Sequence, residues 1–212
     1  MTARAAYDLI ILDFDGVLAD SAPWFRTVLN DLARTHGFRQ VNEAEIEELR
    51  GISNRELVKA MRVPFWKLPA IAKDLRARVA AHADRIPLFP DAAPFLARVR
   101  AADVEVAIVS SNAEPTIRRI LGAAAVHVGR YACGASLFGK AGLLTRVARS
   151  AGQGARVLCI GDETRDIEAA RKAGLPCAAV TWGYATRVGL VAGRPDVIVD
   201  DFGELERVVL GG

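Results

Sequence analysis

Leu9-Ile10-Ile11-Leu12-Asp13-Phe14-Asp15-Gly16-Val17-Leu18-Ala19-Asp20-Ser21 is the stretch from which the rest of the chain is read. An apolar run of strand character stops at two aspartates one residue apart, and a glycine follows at once. Side chains on a strand alternate faces, so Asp13 and Asp15 point the same way while Phe14 turns toward the core. Two carboxylates held side by side repel. At about 4 Å and an effective dielectric near 20 the pair costs roughly 4 kcal/mol before screening. Such an arrangement calls for a cation, a shared proton, or both. The plain alternative is a solvated Asp-x-Asp turn at a strand end, and the rest of the chain decides between them.

Working outward, residues 22–87 change character: β-branched runs are few, and apolar residues recur three or four apart among many Ala, Arg, Glu and Leu. Helices are predicted over 23–34, 54–62 and 69–83. Asn42 reads as the N-cap of a further helix, with Glu45 three residues on as its capping-box partner. From Phe89-Pro90-Asp91 the pattern alternates strand and helix. Helices fall near 92–101, 115–121, 141–150, 163–173 and 204–210. Strands fall at 104–109, 129–133, 156–160, 176–181 and 196–199. This alternation predicts an α/β fold, a doubly wound parallel sheet covered on both faces. The N-terminal strand and residues 88–212 form its core, and 21–87 a small helical insert.

In open parallel sheets, ligands bind beyond the carboxyl ends of the strands, where the strand order reverses. The polar residues cluster at such ends. The first strand ends in Asp13 and Asp15, and the second in Ser110-Ser111-Asn112. Lys140 follows Gly139 at the start of the helix after the third. The fourth ends in Gly161-Asp162-Glu163-Thr164-Arg165-Asp166. Each has an ordinary explanation alone: Ser110 to Asn112 as a helix cap, Lys140 as a surface lysine, Asp162 and Asp166 as acids at a helix N-terminus. Their joint occurrence in this order favours a site.

The first stretch resembles the opening motif of the haloacid dehalogenase superfamily, hhhhDxDGxxxDS with h apolar, nearest its phosphatase branch close to the phosphoglycolate phosphatases. The later motifs of that family are matched by Ser110, by Lys140, and by Gly161-Asp162-x-x-x-Asp166. Residues 21–87 match the helical cap that this branch inserts, leaving 1–20 and 88–212 as a Rossmann-like core. The resemblance implies that Asp13 attacks the phosphorus of a phosphate monoester and forms an aspartyl-phosphate, while Asp15 protonates the leaving oxygen and then activates water. It implies Mg²⁺ held by Asp13, the backbone carbonyl of Asp15 and Asp162, with Asp166 holding a ligand water or Lys140. Ser110, with Ser111 the alternative, and the following amide at Asn112 are expected to bind phosphoryl oxygens. Lys140 offsets the charge gathered in the transition state. Glu163 stands where relatives often carry a small hydroxyl residue, either near the metal or facing away.

Within the cap, Arg50-Gly51-Ile52-Ser53-Asn54 is similar to the family's substrate-facing loop. Arg50 is assigned either to a carboxylate on the substrate or to a salt bridge with a cap glutamate. Trp24, Phe25, Trp66 and Trp182 are read as packing residues, and His36, His82 and His127 are given no catalytic role.

Composition narrows the rest. Hydrophobic content is 51% and charged content 25%, and 28 Lys and Arg are interleaved with 25 Asp and Glu to leave a net charge of +3. No basic stripe marks a nucleic-acid binder, and no apolar run reaches the roughly 20 residues that span a bilayer. The segment before the first strand is too short for a signal peptide. Cys133, Cys159 and Cys177 make no Cys-x-x-Cys pair, and Cys159 lies in an apolar run, so buried thiols and a reducing cytoplasm are expected. The partner is a small phosphorylated metabolite, and the protein a monomer or homodimer. A sugar phosphomutase on the same scaffold is the competing reading, and a non-catalytic protein binding a phosphorylated ligand is a third. The dehalogenase and phosphonate hydrolase branches do without the carboxylate that Asp15 supplies.

Overall fold

The computed structural model describes residues 4–50, 52, 54–134 and 139–212, with the side chains of 54 and 55 left undescribed; Gly51 and Ser53 of the loop singled out above fall outside it. In chain order the strands are β1 (Leu9–Leu12), β2 (Glu105–Val109), β3 (Arg130–Ala132), β4 (Val157–Gly161), β5 (Cys177–Val180) and β6 (Val197–Val199). They form one sheet in the order β3-β2-β1-β4-β5-β6, every described pairing parallel. β1 lies at the centre, with Leu12 in register with Ile108 of β2 and Ile160 of β4. The strand order reverses at β1, so a crevice opens beyond its carboxyl end.

The alternation expected of β1 is realised. Ile10, Leu12 and Phe14 enter one apolar cluster, Leu9 and Ile11 the other. Helices α5 (Ala92–Ala101), α6 (Glu114–Leu121) and α10 (Phe202–Leu210) cover the first face through Phe95, Ile117 and Leu205. Helices α7 (Lys140–Ser150), α8 (Thr164–Ala173) and α9 (Arg187–Gly193) cover the second through Leu144, Ile167 and Leu190. Burial on both sides is why β1, β4 and β5 read as continuous apolar runs. Each large side chain so removed from water contributes roughly 1.5–3 kcal/mol.

Between β1 and β2 stand α1 (Ala22–His36), α2 (Glu43–Leu49), α3 (Asn54–Ala60) and α4 (Leu68–Ala81). The chain leaves and returns through a narrow neck: Ala19 bridges Leu88, Asp20 N–H donates to Pro87, and Phe89 N–H donates to Leu18. The capping box of α2 is present, with Glu45 N–H on Asn42 Oδ1 at 3.0 Å and Asn42 N–H on Glu45 Oε2 at 2.8 Å. Trp24 is buried and Trp182 half-buried against the first cluster, as packing residues should be. Trp66 departs from that expectation. It is 79% exposed, in a single 3₁₀ turn over Phe65–Lys67 with no buried residue.

Helix α9 has no counterpart in the sequence pattern. Its Arg-Val-Gly-Leu-Val-Ala-Gly composition is poor in helix formers. Tertiary packing overrides propensity there: Thr186 caps the Gly189 N–H, Leu190 is fully buried, and a Cβ at Gly193 would approach Ile167 Cδ1 to 2.8 Å. All three cysteines are free thiols, Cys159 and Cys177 buried. No described helix is long and apolar enough to cross a membrane.

Candidate active site

The crevice beyond β1 collects the polar residues singled out at the strand ends. Asp13 continues the β1 ladder through its N–H to Ile160, and its side chain is buried. Oδ1 accepts the Phe14 N–H at 2.7 Å. Oδ2 faces Lys140 Nζ at 2.6 Å without a hydrogen bond of proper geometry. Past Asp15 the chain turns sharply on Gly16 (φ 75°), where a Cβ would run into the carboxylate of Asp162. Glycine is thus required twice over, by conformation and by space.

Asp15 lives differently from its neighbour. Its Oδ2 accepts from Asn112 Nδ2 at 2.8 Å. Burial, and then the charge of Asp13, push its carboxyl up to about 6. Asn112 is held in turn, its N–H donating to Ser110 Oγ at 3.1 Å. Ser110 is buried at the end of β2, whereas Ser111 is exposed. Burial therefore separates the two serines.

Lys140 opens α7 and bridges Asp13 Oδ2 and Asp166 Oδ1, the latter at 2.7 Å. Burial opposes its charge, but Asp13 and Asp166 outweigh burial and hold the ammonium protonated well above the usual lysine range. Asp166 spends its other oxygen on the N–H groups of Asp162 and Glu163, at 3.2 and 3.1 Å. Lys140 and Arg165 overcome burial to keep it ionised below the ordinary carboxylate range. Of the two partners expected for Asp166, the structure contains Lys140.

Asp162 is fully buried. Its Oδ2 accepts the Tyr184 N–H at 2.8 Å, and its Oδ1 has no partner at all. Burial, then Glu163, Asp166 and Asp13, raise its carboxyl well above the ordinary range. Glycines again make the room: a Cβ at Gly183 would overlap Asp162, and one at Gly161 would overlap Asp166. Asp13, Asp162 and Asp166 each offer an oxygen within 4.8 Å of the others, a spacing suited to a hard cation. Five carboxyls (Asp13, Asp15, Asp162, Glu163, Asp166) face two cations, Lys140 and Arg165. Carboxyls outnumber cations here, an imbalance that a divalent cation would reduce. Asp162 Oδ1, buried with no hydrogen-bond partner, fits such an ion, beside the Asp13 Oδ2 that Lys140 faces. The Asp15 carboxylate is outside this group; the expectation for Asp15 concerned its backbone carbonyl.

Two residues of the crevice went unassigned in the sequence. Arg165 places Nη2 2.5 Å from Glu163 Oε2 and 3.9 Å from Asp13 Oδ2. It lies in the acidic run after β4, and a cation between two acids was its only signal. Tyr184 carries no local signal. Its hydroxyl lies 2.9 Å from Ser21 Oγ, its ring meets Phe25 edge-on, and its N–H holds Asp162. Arg50 is drawn to the same loop. Nε donates to the Tyr184 carbonyl at 2.9 Å, Nη2 to the Gly183 carbonyl at 3.0 Å, and Nη1 to Glu47 at 2.9 Å. Of its two expected partners the glutamate is present. Each nitrogen of the guanidinium has one acceptor within the protein.

Residues 10–180 match the family model described as haloacid dehalogenase-like hydrolase. The chain is 33% identical over 203 residues to the phosphoglycolate phosphatase of Synechococcus elongatus, covering 94% of this chain and 96% of that one. It is 32% identical over 192 residues to the tyrosine-protein kinase PtkA of Mycobacterium tuberculosis, covering 83% of this chain and 62% of the other. A haloacid dehalogenase-like hydrolase from Streptococcus pneumoniae superposes with a TM-score of 0.75 at 20% identity, over 97% of this chain and 98% of that chain. The sheet order, the carboxylate pair at the end of β1 and the extent of these matches lead to one statement: the chain belongs to the haloacid dehalogenase-like hydrolases.

Proposed function

We propose that this hydrolase is a phosphatase acting on a small phosphate monoester of the phosphoglycolate type, through an aspartyl-phosphate on Asp13. The observation that carries the reading is the contrast between two carboxyls one residue apart. Asp13 is buried against Lys140, while Asp15 is raised to about 6 and hydrogen-bonded to Asn112. That division suits a nucleophile beside a proton donor. Asp13 attacks phosphorus, and Asp15 gives its proton to the departing alkoxide. Asp15, now a carboxylate, takes a proton from the water that opens the intermediate. Ser110 Oγ and the amide of Ser111 or Asn112 bind the non-reacting phosphoryl oxygens, and Lys140 offsets their charge.

Mg²⁺ would be held by Asp13, Asp162 and the Asp15 carbonyl, with Asp166 behind Lys140. Bound there, it supplies the positive charge that lets a carboxylate meet a phosphate. The α1–α4 segment, spanning 21–87, serves as a cap that excludes water and reads the leaving group. The relative from Synechococcus elongatus supports the substrate class.

Phosphate release is measured from phosphoglycolate, hexose phosphates, nucleoside monophosphates, phosphotyrosine and pyrophosphate, with Mg²⁺ and with EDTA. Mg²⁺-dependent release favouring a small ester, lost in a folded Asp13→Asn variant, is the expected result. Interconversion of sugar phosphate isomers without net release would establish the phosphomutase instead. No turnover of any kind by folded wild type would leave a binding protein.

A further inference from the structure

We propose that Arg165 is a phosphoryl-binding residue of this site and that Glu163 is the positioning residue that aims it. The inference rests on reading Asp13 as the atom to which phosphorus is transferred. Arg165 is the second residue of α8, between the end of β4 and Asp166. Glu163 Oε2 fixes one end of the guanidinium, at 2.5 Å from Nη2. The same nitrogen stands 3.9 Å from Asp13 Oδ2, and Nε stands 4.0 Å from Asp166 Oδ1, both beyond hydrogen-bond reach. The Nε–H is buried with no acceptor.

A buried donor left without an acceptor is a cost that a structure rarely carries without reason. A surface ion pair with Glu163 explains where Nη2 sits, but it does not explain why the guanidinium leans over the nucleophile. Two cations from neighbouring helices, Lys140 of α7 and Arg165 of α8, converge on the same oxygen of Asp13. Their capacities differ. Lys140 already divides its ammonium between Asp13 and Asp166. Arg165 retains an unfilled Nε–H in a planar fork, the geometry that matches phosphoryl oxygens. A phosphoryl group arriving at Asp13 extends oxygens beyond Oδ2, into the gap the guanidinium leaves. The role of Glu163 follows: it adds a carboxylate to an already acidic crevice, and holding Arg165 in place offsets that charge.

Inorganic phosphate, the product of the proposed reaction, is the probe. It is titrated calorimetrically into the Mg²⁺-loaded protein for wild type, Arg165→Gln, Arg165→Lys and Glu163→Gln, with thermal melting as a check on folding. Arg165→Gln is expected to weaken phosphate binding about ten- to hundred-fold, as loss of a charge-assisted bond does. Arg165→Lys, which keeps the charge and loses the fork, should recover part of that. Glu163→Gln should lie between, with KM raised more than kcat is lowered. Wild-type phosphate affinity in a folded Arg165→Gln overturns the proposal. If Arg165→Gln does not fold, Arg165→Lys decides: equal affinity to wild type overturns it. Phosphate binding that depends on Arg165, in a protein that hydrolyses no ester, would sink the phosphatase reading and leave this one standing. Wild type that fails to bind phosphate would sink both.

Discussion

Replacing Asp15 by asparagine should make the metal-free protein more stable while removing its activity. The carboxyl is raised from 3.8 to about 6 by burial and by Asp13. Below pH 3.8 it is protonated whether the chain is folded or not, and it costs nothing. Between 3.8 and about 6 the folded state keeps a proton that the unfolded state releases, so stability falls as pH rises. Above about 6 both states are ionised and the full penalty applies. The climb from 3.8 to about 6 corresponds to about 3 kcal/mol, an upper figure because the carboxyl is partly exposed. Asparagine has the same shape and cannot ionise, and its oxygen still accepts from Asn112 Nδ2. In EDTA, urea and thermal melts of Asp15→Asn and wild type should coincide near pH 4. At pH 7–8 the variant should melt higher by roughly 5–10 °C, as a chain of this length responds to such a change. Turnover should be lost at every pH. Parallel stability curves from pH 4 to 8 would refute the environment assigned to Asp15, and with it the division of labour between the two aspartates.

Three further outcomes follow from the same geometry. Ser110→Ala should lower kcat/KM by about 100-fold, whereas Ser111→Ala, on an exposed side chain, should leave steady-state kinetics near wild type. Gly183→Ala places a methyl group against the buried Asp162. It should cost about 1–3 kcal/mol in melting and weaken Mg²⁺ in calorimetric titration, and unchanged Mg²⁺ affinity would contradict the placement of Asp162. Because burial raises the Asp162 carboxyl well above the ordinary range, Mg²⁺ must displace a proton held there. Its affinity should therefore climb as pH rises above the ordinary carboxylate range, and EDTA should abolish phosphate release.

Much of this was legible in the chain because it is local. The four apolar residues of β1 and the aspartates after them obey one alternation, so the strand, its burial and the pairing of Asp13 with Asp15 come from thirteen consecutive letters. The cap of α2 is equally local, an asparagine and a glutamate three residues apart. What resisted reading depends on distant neighbours. Helix α9 forms because Leu190 and Gly193 meet α8, against the preference of its own residues. Tyr184 joins the crevice through contacts with Ser21, Phe25 and Asp162, none near it in sequence. Arg50 could be placed on a loop by pattern, but the carbonyls that claim it lie more than 130 residues away. Trp66 shows the converse, an aromatic residue that no neighbour covers.

The loop at Gly183 and Tyr184 serves two masters. Its N–H at Tyr184 steadies Asp162, while its carbonyls grip Arg50 of the helical segment, and the Thr186 N–H returns to the Arg50 carbonyl. A swing of α1–α4 away from the sheet must break those bonds or drag the loop with it. Occupancy at Asp162 and the angle of the helical segment are then coupled variables. Reciprocity requires that whatever tightens one bias the other by the same factor. If a cation binds at Asp162, its concentration is expected to bias that angle, and a ligand that holds the segment in place is expected to retain the ion. Five backbone groups and the Arg50 side chain make that link.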